Sequence, residues 1–306
     1  MHIGIPAEIR GGETRVAATP ETVKKFTAKG VHKVSVQSGA GAGASIPDSA
    51  YQEAGATIMT DAAALYAQSE IVLKVRGPEA SELAMMRRNV VLLGLLSPHH
   101  KEGIDALAQH GVTAFAMEKL PRISRAQNMD VLSSQANIAG YKAVIMAANV
   151  YQRFFPMLMT AAGTVKAARV LILGAGVAGL QAIATAKRLG AVVEAFDVRP
   201  AAKEQVESLG AKFVEVPLSD EEKAKAETAG GYATEMSDDY KRRQGELMHE
   251  RAIAADIIIT TALIPGRPAP VLIKEETVRA MKPGSVIVDM AVEAGGNCPL
   301  SELNKT

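Results

Sequence analysis

The sequence predicts an α/β fold of two subdomains with parallel sheets, residues 1–137 and 138–306, joined by a long helix. Three observations lead there. Short apolar runs alternate with helical stretches through both halves, as repeated βα units require. Residues 129–155 carry apolar positions at helical spacing without a proline, which predicts one long helix running into the second subdomain, with Pro156 near its end. Arg169–Leu173 is an apolar strand that runs straight into a glycine-rich turn and another helix.

In the first subdomain, His2–Pro6 reads as a strand and Pro20–Lys29 as a helix ended by Gly30. Lys33–Gln37 is the second strand, before the small-residue turn Ser38–Ala44. Ile71–Val75, Val90–Leu95 and Val112–Ala116 follow as strands, each after a helical stretch. The second subdomain opens on Arg169–Leu173, then a helix over 177–189 closed by Gly190, the strand Val192–Phe196, a helix over 200–209 and the strand Lys212–Val216. Asp256–Thr260 and Ser285–Met290 supply two more strands around a helix near 275–281. A doubly wound sheet usually has a further βα unit. The sequence stops soon after Gly295-Gly296-Asn297-Cys298-Pro299, so its C-terminal end is read as truncated.

Composition narrows the partners. A net charge of +1 offers no electrostatic attraction for nucleic acid. One cysteine, Cys298, excludes an internal disulfide and fits a reducing compartment. The N-terminus lacks the basic-then-apolar order of a signal peptide, and no apolar run is long enough to span a bilayer. His99 and His100 are adjacent and point apart, with no second set of ligands, so no metal site is expected.

The strongest chemical signal is Gly174-Ala-Gly176-Val177-Ala178-Gly179, placed between a strand and a helix. Gly174 permits the tight turn, Gly176 lets the backbone approach a phosphate, and Gly179 allows close helix–strand packing. The helix N-terminus offers free N–H groups and partial positive charge to a pyrophosphate. The second subdomain is therefore Rossmann-like, and the first is expected to be so as well. Asp197 ends the next strand, where a carboxylate accepts ribose hydroxyls and repels a 2′-phosphate, favouring NAD(H) over NADP(H). Arg199, two residues on, either welcomes that phosphate, stacks on adenine or pairs with Asp197.

A second constellation spans Pro121–Ser133, with Arg122, Arg125, Gln127, Asp130 and Ser133 close together at the junction of the subdomains. It reads either as ligand-binding, since junction clefts hold ligands, or as a capped helix start. The polar stretch 218–251 reads as a solvated helix with a loop. Its Gly230-Gly231-Tyr232 tip is either an ordinary surface turn or a hinged flap laying a ring over a ligand. Lys74, inside the apolar strand Ile71–Val75, faces either a cleft or a partner, or else snorkels to water.

Several of these segments converge. Arg15–Pro20, Pro121–Asp130, Gly174–Leu180, Thr260–Gly266, Gly230–Tyr232 and Val288–Asn297 resemble the NAD(H)-binding domain I of proton-translocating NAD(P) transhydrogenase. The Pro-Arg-Ile-Ser-Arg-Ala-Gln element is the specific one, and the broader frame is similar to that of alanine dehydrogenase. The resemblance implies that Arg122, Gln127 and Asp130, with Ser133 near by, surround the nicotinamide and its ribose. It implies that Tyr232 with Gly231 closes over bound NAD(H), that Gln244 contacts the cofactor, and that Thr261, Ala262 and Leu263 lie near the nicotinamide half. Asp197, Val198 and Arg199 fall on the adenosine side.

The same resemblance implies direct hydride transfer from NADH to NADP bound on a partner domain, coupled to a membrane-embedded proton-channel subunit. A homodimer follows from it, peripheral on the cytoplasmic face of the membrane. The alternative is an alanine dehydrogenase-like amino-acid dehydrogenase, which shares residues matching Arg15 and Lys74. That enzyme's histidine acid/base aligns with Ser97 and its catalytic aspartate with Glu293, which weighs against it.

Overall fold

The computed structural model describes residues 1–121, 123–217, 238–264 and 266–306. The chain divides into two compact units, Met1–Leu132 and Ser133–Thr306.

The first unit runs β1 (His2–Ile5), α1 (Pro20–Thr27), β2 (Lys33–Gln37), α2 (Asp48–Glu53), β3 (Thr57–Met59), α3 (Ala62–Gln68), β4 (Ile71–Arg76), α4 (Ala80–Met85), β5 (Val91–Leu95), α5 (Lys101–His110) and β6 (Thr113–Ala116). Local chemistry starts these helices. Thr19 caps α1 through the Thr22 N–H with Pro20 at the first helical position, Glu79 and Glu82 form a capping box on α4, and the His100 ring caps α5. The strands form one parallel sheet in the order β3-β2-β1-β4-β5-β6. Ile3, Ile5, Val34 and Val36 belong to one buried cluster with Tyr51, while Val72 and Leu92 belong to another with Tyr66.

The second unit takes up the long helix α6 (Val131–Val150), which spans the division in sequence. A two-stranded antiparallel hairpin follows, β7 (Leu158–Thr160) and β8 (Gly163–Val165). Then come β9 (Arg169–Leu173), α7 (Val177–Arg188), β10 (Val192–Phe196), α8 (Ala202–Ser208), β11 (Lys212–Phe213), a helix over Asp238–Ala254, β12 (Ile257–Thr260), a helix over Glu275–Ala280 and β13 (Val286–Asp289). The sheet is parallel, in the order β11-β10-β9-β12-β13. Central β9 is buried on both faces: Val170 and Ile172 pack into one cluster, Leu171 and Leu173 into the other.

Both sheets are thus parallel α/β sheets, as expected. In each, the chain moves outward from a central strand and then crosses to its other side, leaving a switch point beside β1 and β4 or β9 and β12. Three local expectations change. The long helix stops at Val150 instead of 155, because the apolar residues beyond it pack as coil: Tyr151 and Phe155 are buried edge-to-face, with centroids 6.3 Å apart. The strand expected at Lys212–Val216 is only Lys212–Phe213, since this edge strand pairs with just Glu194 and Ala195. The strand Thr57–Met59 and the hairpin Leu158–Val165 were not anticipated; both are short, which leaves little alternation to read.

Candidate functional site

The glycine turn lies at the carboxyl end of β9, at the switch point of the second sheet. Gly174 has φ of +100°, which side chains avoid, and its N–H donates to the Phe196 carbonyl at 2.8 Å. A Cβ on Gly179 would stand 1.8 Å from the Gly174 carbonyl oxygen, so helix and turn can meet only through a glycine. Gly176 differs from both. It is exposed, its φ is −75°, and a Cβ there would meet nothing within 4 Å. The fold itself therefore does not require glycine at 176. Val177 and Ala178 open α7, whose first amides have no intrahelical acceptor.

Asp197 follows β10 beside this turn. Its Oδ2 accepts the Ala175 N–H at 2.7 Å, and its Oδ1 accepts the Arg199 N–H at 2.8 Å and Arg199 Nε at 2.9 Å. Arg199 also donates from its terminal nitrogen to Asp197 Oδ2 at 3.0 Å and to the Ala175 carbonyl at 3.2 Å. Of the three roles open to Arg199, the structure shows the pairing with Asp197. Burial pushes the Asp197 carboxyl up, but the Arg199 side chain and the Arg199 and Ala175 amides outweigh it and hold the group below its usual value. The carboxylate is thus ionised, oriented and only slightly exposed.

β12 delivers the third wall. The Thr261 N–H donates to the Leu173 carbonyl at 2.8 Å and its hydroxyl to the Gly174 carbonyl at 3.0 Å, tying the end of β12 to the glycine turn. Gly174, Ala175, Gly179, Asp197, Arg199, Thr261 and Ala262 are thereby brought together, with Gly176 and Val177 at the exposed rim and Leu263 and Val198 exposed. Gln244 lies half-buried on the helix Asp238–Ala254.

The other expected residues fall elsewhere. Gln127 is exposed in a 3-10 turn, Ser124–Met129, and Asp130 follows it, its N–H donating to the Gln127 carbonyl at 3.2 Å; both belong to the first unit. Ser133 sits in the first turn of α6, in the second. Arg122, Gly231 and Tyr232 lie outside the described residues. One contributor left no local signal. Gly140 on α6 packs so closely on the start of α7 that a Cβ would stand 2.1 Å from the Ala178 carbonyl oxygen. Only a helix–helix crossing could reveal it.

In the first unit, Lys74 does not snorkel. Its side chain is buried, with Nζ 2.6 Å from Glu82 and 3.3 Å from Glu8. The Tyr66 hydroxyl donates to the same Glu82 oxygen at 2.8 Å, and the Val75 N–H donates to Glu8 at 2.6 Å. Burial and the Glu82 charge push the Tyr66 hydroxyl far up. Glu13 pairs with Arg15 at 2.6 Å and with Arg76 at 3.3 Å. Ser97 adopts a left-handed φ of 51°, its N–H donating to Glu118 at 2.6 Å.

Two family models match nearly end to end: Alanine dehydrogenase/PNT, N-terminal domain, over residues 4–139, and Alanine dehydrogenase/PNT, C-terminal domain, over residues 143–306. The chain belongs to the alanine dehydrogenase/PNT family. Within that family it is 57% identical to an NAD(P) transhydrogenase subunit alpha chain of Rhodospirillum rubrum, covering 100% of the chain and 80% of that relative. Identity to the alanine dehydrogenase of Bacillus subtilis is 33%, covering 97% of the chain and 72% of that enzyme. The crystal structure of transhydrogenase from Sinorhizobium meliloti superposes with a TM-score of 0.88 at 51% identity, over 99% of the chain and 81% of that structure. The sequence therefore lies on the transhydrogenase side of the family. No helix among the described residues is long and apolar enough to cross a membrane.

Proposed function

We propose that this chain is the NAD(H)-binding component of a proton-translocating transhydrogenase. The observation that carries the reading is Gly176. The protein leaves room for a side chain there and has none, at the mouth of a helix N-terminus beside an oriented carboxylate. Close approach of a pyrophosphate accounts for that glycine, and Asp197 then accepts the adenosine ribose hydroxyls.

The chemistry asks little of side chains as acids or bases. The dihydronicotinamide of NADH supplies a hydride and becomes NAD+, while NADP+ on a partner domain takes it up and becomes NADPH. The chain's own residues must orient one ring and keep water away from it. We assign that work to Arg122, Gln127, Asp130 and Ser133 around the carboxamide and ribose. Tyr232 with Gly231 covers the ring, and Thr261, Ala262 and Leu263 lie beneath it. The partners are the NADP(H)-binding domain and a membrane-embedded proton channel, which hold this component at the cytoplasmic face. A homodimer is supported by apolar side chains left exposed on α6 and the hairpin, among them Ile138, Tyr141, Met146 and Met159.

An amino-acid dehydrogenase must also move protons to and from an amine. Lys74 is already paired with two carboxylates, and a serine, Ser97, stands where the resemblance aligns that enzyme's histidine. The test mixes the protein with an NADP(H)-binding partner domain and follows hydride transfer from NADH to an NADP analogue, alongside fluorescence titrations of NADH and NADPH. Transfer with clear preference for NADH is expected. Equal affinity for the two nucleotides, or alanine-dependent NAD reduction by the chain alone, would overturn the reading.

A further inference from the structure

The end of β12 is held from a place that the glycine motif does not reach. Gly295 and Gly296, with φ of +98° and +81°, turn the chain back after β13 and deliver Asn297 into the unit, fully buried. Its side-chain amide meets both backbone groups of Ala262. Oδ1 accepts the Ala262 N–H at 3.1 Å, and Nδ2 donates to the Ala262 carbonyl at 2.9 Å. Nδ2 also donates to the Pro270 carbonyl at 2.7 Å. The backbone carbonyl of Asn297 accepts the N–H groups of Leu272 and Ile273 at 2.9 and 3.0 Å. One residue therefore grips the segment that follows β12 near its start and again at 270–273.

Asp289 holds the turn that carries Asn297. At the end of β13, its Oδ1 accepts the Thr260 hydroxyl at 3.0 Å and the Ala291 N–H at 2.9 Å, and its Oδ2 accepts the Cys298 N–H at 3.0 Å. A Cβ on Gly296 would stand 2.8 Å from that same Oδ2, so the turn closes on the carboxylate only with glycine there. The linkage runs from Asp289 through the turn to Asn297, and from Asn297 to the backbone of Ala262.

We infer that Asn297 is a positioning residue for the nicotinamide half of the NAD(H) site, with Asp289 as its support. The inference rests on the reading above, in which Thr261–Leu263 lie beneath the ring. Because Asn297 takes up both polar groups of Ala262, what that residue turns toward the ring is fixed in place and apolar. The adenosine half depends on a different set of bonds, those of Asp197, Arg199 and Ala175. Loss of the Asn297 grip should therefore weaken one half of the dinucleotide site and spare the other.

The experiment compares NADH with ADP-ribose, which has the same adenosine and pyrophosphate but no nicotinamide, as ligands of the whole chain. Asn297→Asp keeps the side-chain volume and replaces both donors with an acceptor facing the Ala262 and Pro270 carbonyls; Asn297→Ser is a milder second variant, should the first fold poorly. Losing one or two hydrogen bonds should weaken NADH binding by roughly tenfold, while ADP-ribose binding stays within about twofold. With a partner domain present, KM for NADH should rise more than kcat falls. Equal weakening of both ligands would show a merely structural role, and unchanged NADH affinity would show no role; either overturns the inference. If the unaltered protein binds neither ligand, it is the functional reading that fails.

Discussion

Gly140 lies against Ala178 so closely that a single added carbon would stand 2.1 Å from the Ala178 carbonyl oxygen. The long helix α6 thereby buttresses the first turn of α7, where the nucleotide phosphates are proposed to sit. Gly140→Ala sets two effects against each other. Alanine in a helix interior gains about 1 kcal/mol over glycine, whereas forcing backbone apart in a packed site costs roughly 1–3 kcal/mol. The clash is with backbone, which yields least, so the variant should be less stable and bind NADH more weakly. Thermal melts and NADH titrations read both. A more stable variant of unchanged affinity would show that the helices separate at little cost.

Lys74 balances two buried carboxylates, Glu8 and Glu82, all three side chains at most 3% exposed. Lys74→Met leaves those charges without their cation, a change that costs about 3–5 kcal/mol when one partner of a buried pair is removed. The double variant Lys74→Met, Glu82→Gln should recover some of that loss, because one of the stranded charges is gone. Denaturant midpoints of the wild type, the single and the double variant decide it. A single variant unfolding at the wild-type midpoint would contradict the pairing.

Glu13 gives the first unit a pH dependence. The Arg15 side-chain hydrogen bond is the largest influence; burial opposes it, and the Arg15 amide and Arg76 add to it, bringing the carboxyl from 4.5 down to about 2. A carboxyl depressed by folding contributes stability at pH values above its ordinary one, and that contribution is lost as pH falls through the folded value. Stability should therefore decline between about pH 4.5 and pH 2, with a shallower decline in Glu13→Gln. Denaturant unfolding at a series of pH values measures it; parallel curves for the two proteins would remove Glu13 from the account.

The strands, most helices and the glycine turn were legible because their causes are local. Apolar runs such as Arg169–Leu173 and glycines at fixed spacing announce themselves within a few residues. Asp197 was legible for the same reason, since strand length sets its place beside the turn. Tyr151 and Phe155 misled, because apolar residues at helical spacing look alike whether they extend a helix or pack from a coil. The partners of Lys74 were hidden: Glu8 lies 66 residues away in sequence, and nothing near Lys74 names it.

By itself, then, the sequence determined two parallel α/β sheets, a dinucleotide turn at the end of β9 and a carboxylate at the end of β10. Each follows from backbone preferences and side-chain periodicity over short distances. The tertiary structure alone decided that Gly140 admits the start of α7, that Lys74 is held between Glu8 and Glu82, and that Asn297 grips Ala262. Those relationships join residues brought close only when the sheets and helices pack, and close packing and buried hydrogen bonding set their geometry.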